Sequence, residues 1–274
     1  MDSAVRESSG VAASARRPGV YWTHNDSGDA PRIYAFDSRG RALGRWVVAG
    51  ARAEDWEDIA AGPGPAKGTP YLYIGDIGDN SRGRKFVTVY RIAEPDVRAA
   101  RCPAQGCATP PADALVLEYP DGAHDAEALL VHPRTGDLYI VTKALGDHET
   151  TTVFKAPAPL SPAKPVRLAK LAQLDIPERV FVSLVGGITG GGISPDGTRV
   201  ALCDYLRAYE ALLPAGADFD AVWKREFSIV PLGLGAQHEG ICYRPDGRAL
   251  IVTSEGLPCR ASQLERSAGL QHGQ

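Results

Sequence analysis

The stretch from Glu127 to Lys143 reads EALLVHPRTGDLYIVTK and contains the pattern that decides the fold. An acidic residue opens a short apolar strand, a Pro/Gly turn follows, and a second apolar strand ends in polar residues. Because Pro presets a turn and Gly accepts positive φ, this stretch predicts a tight β-hairpin. The pattern recurs as SGVAASARRPGVYWTHND from Ser9, EDIAAGPGPAKGTPYLYIGD from Glu57, GGISPDGTRVALCD from Gly191 and EGICYRPDGRALIVTSE from Glu239.

Further strands follow most of these hairpins. Segments 32–36 and 87–91 have the alternation of third strands, and segment 115–119 that of a fourth. Repeated units of four antiparallel strands are typical of propeller blades. The sequence therefore predicts an all-β fold, a β-propeller of four-stranded antiparallel blades, with five blades favoured and six as the alternative. We expect a single domain over residues 1–274 whose last blade is abbreviated or altered after about residue 256.

Polar residues recur at two positions of the repeat, the start of the first strand and the end of the second. In a hairpin these two positions lie at the same end, so we expect their side chains to gather at one mouth of the central channel. A single carboxylate at a strand end often only caps a turn. Several together raise one another's pKa and favour a cation or a substrate that neutralises them. The predicted metal ligands are Asn25, Asp26, Glu57, Asp76 and Glu239, and the predicted catalytic groups are His24, His238, Glu127 and Lys143.

Composition narrows the class of partner. The net charge of −3 provides no basic field for nucleic acid. No apolar run approaches the ~20 residues of a membrane span. We therefore expect a small-molecule or glycan ligand, no nucleic acid, no membrane span and a monomeric protein.

The cysteines and the N-terminus bear on the compartment. Cys102 and Cys107 bracket a Pro/Gly loop that a disulfide could close in an oxidising compartment. Cys203 and Cys242 lie in apolar runs typical of core strands, and Cys259 has no evident partner. The first residues lack the apolar segment of a signal peptide. The expected location is extracellular or the cell envelope if a leader has been removed, and the cytoplasm if the start is genuine.

Four blocks carry a resemblance to known propellers: segments 23–29, 55–60, 73–80 and 125–129. They resemble uncharacterised, often secreted bacterial propeller proteins over about residues 7–256. More distantly, the Glu-Gly-Ile and Glu-Ala-Leu strand starts resemble the calcium-dependent lactonase and esterase-like phytase propellers. In the lactonase types, that resemblance implies a channel Ca²⁺ held by Glu, Asn and Asp from different blades. The residues that this resemblance implies for such a role are the strand-start glutamates Glu57, Glu127 and Glu239, together with Asn25, Asp26 and Asp76.

Three functions remain open from the sequence. The first is a metal-assisted hydrolase of an ester, lactone or phosphoester, in which Ca²⁺ or another divalent cation is held by hard oxygen ligands and a His or a carboxylate acts as base. The second is a glycan-cleaving enzyme that pairs Glu57 with Glu127 or Glu239 as acid and base. The third is a propeller that binds a ligand or a protein without chemistry.

Overall fold

The predicted propeller is confirmed, with five blades rather than six. The computed structural model describes residues 1–98, 106–144, 150–176, 187–232, 237–256 and 259–266. Five small sheets form a ring, and the main strands of each sheet pair antiparallel in chain order. In the described residues no helix is long and apolar enough to cross a membrane.

The first two blades are five-stranded and the others smaller. The first contains β1 (Ser8–Ala13), β2 (Val20–Asn25), β3 (Arg32–Asp37), β4 (Ala42–Val47) and β8 (Cys107–Ala108). The second contains β5 (Trp56–Pro63), β6 (Pro70–Asp76), β7 (Val87–Ala93), β9 (Asp113–Glu118) and β13 (Val166–Arg167). The third contains β10 (Ala126–Val131), β11 (Leu138–Thr142), β12 (Thr152–Ala156) and β14 (Ala169–Gln173).

The fourth and fifth blades complete the ring. The fourth contains β15 (Gly190–Ile193), β16 (Arg199–Cys203), β17 (Arg207–Leu212) and β18 (Ser228–Pro231), with a 3-10 helix at Phe219–Lys224 between its last two strands. The fifth contains β19 (His238–Tyr243), β20 (Ala249–Ser254) and β21 (Arg260–Glu265). The sequence after Cys259 has no alternation of apolar and polar residues, so it does not predict β21. The reason is that nearly all side chains of β21 are exposed.

Neighbouring blades are joined by side-chain packing and by two short strands that pair with the outer edge of a sheet formed earlier in the chain. The innermost strands form the ring in the order β1, β5, β10, β15, β19, and β19 lies against β1, so the first and last blades meet without sharing a strand in the described residues. The short strand β8, which lies between β7 and β9 in the chain, pairs in parallel with β4 of the first blade. The short strand β13, which lies between β12 and β14, pairs in parallel with β9 of the second blade. Apolar side chains fill the spaces between blades. Trp22 and Trp56, for example, share the cluster between the first and second blades.

Two cysteines occupy the core positions that the sequence predicts. Cys203 and Cys242 are buried free thiols in the fourth and fifth blades, as expected, and Cys259 is also free. Cys107 is disulfide-bonded. Cys102, the partner proposed from the sequence, lies outside the described residues.

The carboxylate of Asp58 connects three blades at the channel. It is fully buried and accepts backbone hydrogen bonds from Ile59 (2.8 Å), Leu129 (2.9 Å) and Gly191 (3.3 Å) of β5, β10 and β15. Gly10 of β1 leaves room for it, because a Cβ there would lie 2.6 Å from Asp58 Oδ1. Burial raises the pKa of Asp58 well above its usual range, although the three N–H donors oppose this.

Replacing Asp58 tests this connection. Asp58→Ala leaves buried N–H groups without an acceptor, so we expect the free energy of unfolding to fall by about 3 kcal/mol. Asp58→Asn keeps one acceptor oxygen and should cost less. Urea denaturation measures both, with the exposed Asp96→Ala as control, which should stay within about 0.5 kcal/mol of the wild type. An Asp58→Ala protein as stable as that control would contradict the assigned role.

Candidate functional site

Four innermost strands begin with a β-bulge. Strand register shifts between Ser8 and Gly10, Trp56 and Asp58, Ala126 and Ala128, and His238 and Gly240. A bulge inserts one unpaired residue and re-aims its side chain. The bulged residues are Ser9, Glu57, Glu127 and Glu239, which explains why the strand-start glutamates share one mouth of the channel, here called the acid mouth.

The fourth blade differs from the repeat read from the sequence. Its register runs without a shift from Gly190, which pairs with Cys203 as Gly240 pairs with Thr253. The position equivalent to the glutamates is therefore Thr189, two residues before the Gly191 taken as the start of that copy. Thr189 donates a hydrogen bond to the His238 carbonyl at 2.9 Å. The fourth blade thus contributes no carboxylate at this position.

Three carboxylates at the acid mouth lie close enough to hold a cation. Asp26, Asp55 and Glu57, here called the acid trio, each offer one oxygen, and the three oxygens lie within 4.8 Å of one another. Asp26 follows the end of β2, and its backbone N–H bonds the Glu7 carbonyl at 3.0 Å. Within the part of the chain that the structure describes, the Glu57 carboxylate has no hydrogen-bond or ion-pair partner. Its oxygens are therefore available to a ligand.

Two further features fit a bound cation. Asp125 is 3% exposed and accepts from the Asp79 N–H through Oδ1, while its buried Oδ2 has no partner. Gly78 lies directly against the trio, and a Cβ there would overlap Oε1 of Glu57 and Oδ2 of Asp55. A buried unpaired carboxylate oxygen costs free energy unless something neutralises it. Hard oxygen donors of this kind suit Ca²⁺.

Burial and crowding raise the pKa values of the acid mouth. Burial, then the Asp26 and Asp125 carboxylates, raise the pKa of Asp55 to about 6. Burial, then Glu127 and Asp26, raise the pKa of Glu57 well above its usual range. Burial, then Glu127 and Glu255, raise the pKa of Glu239 to about 9. At neutral pH the mouth therefore holds protons that isolated carboxyls would release.

A second group at this mouth is built around Lys143. Its ammonium forms an ion pair with Glu127 and donates to the Tyr205 hydroxyl at 3.3 Å. Burial lowers the pKa of Lys143, but the adjacent Glu127 carboxylate outweighs this and raises it overall. Burial also raises the pKa of Glu127, against the opposing effect of Lys143. A charged ammonium is therefore fixed among carboxylates, where it can donate to an anionic oxygen.

The other predicted site residues have structural partners. Asn25 holds the N-terminal segment, accepting from Arg6 N at 2.9 Å and donating to Ala4 O at 2.8 Å. Asp76 accepts from Asp55 N at 3.1 Å and pairs with Arg84 at 2.9 Å. Both side chains therefore have hydrogen-bond or ion-pair partners in the segments around the acid trio.

The two histidines are buried. His24 is 0% exposed, bonds the Asn25 carbonyl through Nδ1 at 2.8 Å and packs edge-on against Trp56. Burial lowers its pKa. His238 is also buried, and its backbone N–H bonds the Tyr205 carbonyl. The His24 ring is therefore enclosed, and its buried Nε2 has no hydrogen-bond partner among the described residues.

Neither Asp55 nor Asp125 is among the predicted metal ligands or catalytic groups. Asp55 and Glu57 are two residues apart, the spacing that places side chains on one face of an extended segment, and this signal could have identified Asp55. Asp125 has the same spacing to Glu127. The link between Tyr205 and Lys143 joins two blades and has no local sequence signal.

Comparison with known proteins gives no family match and a distant likeness among solved structures. No protein-family model matches the sequence, and no curated protein matches it either. Among solved structures, one similar chain is a gluconolactonase from Xanthomonas campestris, at 15% identity and a TM-score of 0.49, covering 94% of this chain and 71% of that one.

Glu239 provides a test of the electrostatics. A carboxyl with a raised pKa keeps its proton in the folded protein after the unfolded chain has released it, so the free energy of unfolding falls as pH rises. For Glu239 this window runs from 4.5 to about 9. In chelator, we expect the wild-type Tm to fall between about pH 5 and about pH 9, and Glu239→Gln to fall less steeply. The exposed Glu226→Gln should follow the wild type. Equal slopes for the two variants would contradict the assignment.

Proposed function

We propose that this propeller is a hydrolase that depends on a divalent cation and acts on carbonyl esters or lactones at the acid mouth. The observation that carries the proposal is the acid trio, Asp26, Asp55 and Glu57, whose oxygens lie within 4.8 Å of one another. The buried, unpartnered Oδ2 of Asp125 nearby supports a cation as the missing neutralising charge. Ca²⁺ is the proposed ion, since it accepts several carboxylate oxygens in flexible geometry.

The charge of the mouth favours a neutral substrate over a phosphoester. The carboxylates of Asp26, Asp55, Glu57 and Asp125 surround the site, and the ammonium of Lys143 is already paired with Glu127. A phosphate dianion would be repelled by this field unless more than one cation screened it. An ester or lactone carbonyl carries no net charge and gains negative charge only as the reaction proceeds.

The acid trio, with Asp125 beside it, would hold the cation. A bound divalent cation supplies Lewis acidity and lowers the pKa of water. Two residues of the chain supply further roles, one as a hydrogen-bond donor to the oxyanion and one as a proton donor. Lys143 stays charged and donates hydrogen bonds toward developing oxyanion charge. Glu239, with a pKa of about 9, keeps a proton at neutral pH that it can donate to a leaving oxygen, and the proton that the attacking water loses then restores it.

Cation binding gives the first test. Calorimetric titration of the wild type with Ca²⁺ should show one saturable site. Gly78→Ala should weaken binding by at least about tenfold, because the added Cβ displaces the Glu57 and Asp55 carboxylates at little cost to the fold. Gly83→Ala in the same loop is the matched control, since its Cβ would lie 3.6 Å from Ser81 Oγ, an ordinary contact. A wild type that binds no divalent cation, or a Gly78→Ala variant with undiminished affinity, would contradict the site.

Turnover gives the second test. Hydrolysis of a panel of aryl esters and lactones should require Ca²⁺, stop in chelator and return when Ca²⁺ is restored. Lys143→Met should lower kcat by roughly 10²-fold, because it removes a donor to the oxyanion. Lys170→Met, which removes an exposed lysine paired with Asp121, should keep wild-type activity. Glycoside cleavage insensitive to chelator would instead support paired carboxylates, and Ca²⁺ binding without turnover of any substrate would support a binding protein. Either result would contradict the proposed cation-dependent hydrolysis of esters or lactones.

A further inference from the structure

The innermost strands leave a cavity at the other end of the channel. It has a volume of about 180 Å³ and is lined by the C-terminal halves of these strands and by the turns that follow them. Every blade contributes: Val11, Ile59, Leu130, Ile193 and Cys242 lie on β1, β5, β10, β15 and β19. We call this end of the channel the apolar mouth. It belongs to no part of the function proposed above.

The residues that line the cavity, within the described part of the chain, provide no charged group to pair with a charged ligand. Among the described residues that line the cavity, none has an ionisable carboxylate, ammonium or guanidinium group. The Ser14 hydroxyl is already bonded to the Glu94 carboxylate. The Cys242 thiol is a weak hydrogen-bond former, and burial raises its pKa, so it stays uncharged. A charged ligand would lose its hydration here without replacement.

The hairpin turns of the repeat give this mouth a rigid rim. Pro133, Pro195 and Pro245 occupy the same turn position in the third, fourth and fifth blades, and all three line the cavity. Their rings fix the backbone and present carbon to the cavity without an N–H donor. The cavity is therefore preformed, so a ligand that fits it need not order its walls on binding.

Asp58 divides the cavity from the acid mouth. Its fully buried carboxylate accepts from the N–H groups of Leu129 and Gly191, and the next residues along those strands, Leu130 and Gly192, already line the cavity. The two ends of the channel are thus separate sites with opposite chemistry, one crowded with carboxylates and the other apolar.

We propose that the apolar mouth is a second ligand site, which binds a compact, uncharged apolar molecule of about the size of benzene. Size supports this class, because an apolar cavity of roughly 150 Å³ is large enough to accept benzene. An extended chain would exceed the volume, and a polar molecule would leave its own donors and acceptors unpaired.

Benzene is the probe that tests the proposal. Thermal melts and calorimetry on the full chain should show a Tm that rises with benzene concentration and a saturable heat of binding. Ala13 and Ala61 line the cavity and are only partly buried, so a larger side chain at either position can fill it. We expect Ala13→Leu to weaken benzene binding by at least about tenfold. Ala61→Leu serves the same purpose if Ala13→Leu does not fold, and Ala215→Leu in an exposed loop is the matched control.

Several outcomes would overturn the site. One is the absence of saturable benzene binding in the folded wild type, and another is wild-type affinity in folded Ala13→Leu and Ala61→Leu. Loss of benzene binding in Glu57→Gln would place the benzene at the acid mouth and would also contradict the proposal. Failure of Ca²⁺ binding or of ester turnover leaves these readouts unchanged, so the two proposals fail independently.

Discussion

One buried carboxylate, that of Asp58, organises the centre of this propeller. Its three backbone donors come from three blades, so a single side chain links β5, β10 and β15. A buried carboxylate is costly unless its lone pairs are satisfied, and here the neighbouring strands supply the donors. The close approach of the innermost strands also requires small residues. A Cβ at Gly240 would lie 2.7 Å from the Val11 nitrogen, across the junction where the ring closes.

The same strands bring the carboxylates of the acid mouth close enough to repel one another. Each bulge turns one residue of the inner strand away from pairing, and three of those residues are Glu57, Glu127 and Glu239. Lys143 offsets part of the resulting negative charge through Glu127. Burial, and after it the remaining negative charge, raise the pKa values of Asp55, Glu57 and Glu239, so protons or a cation must complete the neutralisation. Function is proposed at this mouth because the fold alone does not require this arrangement.

The sequence predicted what depends on local repetition. Hairpin turns and strand starts recur with recognisable chemistry, and they were enough for the five blades and for the glutamates at one mouth. It did not predict what depends on partners distant in the chain. The ring of His24 looked available at a strand end, but it packs on Trp56 of the next blade. The fourth copy was misaligned because glycines follow Thr189 in a row and only the pairing with Cys203 shows the register. Asn25 looked like a ligand, although its amide holds the N-terminal segment.

The arrangement of the inner strands explains why one channel can contain two unlike environments. All five run in the same direction around the ring, so their starts meet at one mouth and their ends at the other. A bulge residue such as Glu57 can be ionisable because it lies among the other polar groups of the acid mouth, whereas positions past Asp58 must be small or apolar because the strands converge. Substitutions at the bulge positions therefore alter charge at the acid mouth. Substitutions after Asp58 alter packing without changing the charge of the acid mouth. This separation allows chemistry to vary at one end while the other end keeps the ring closed.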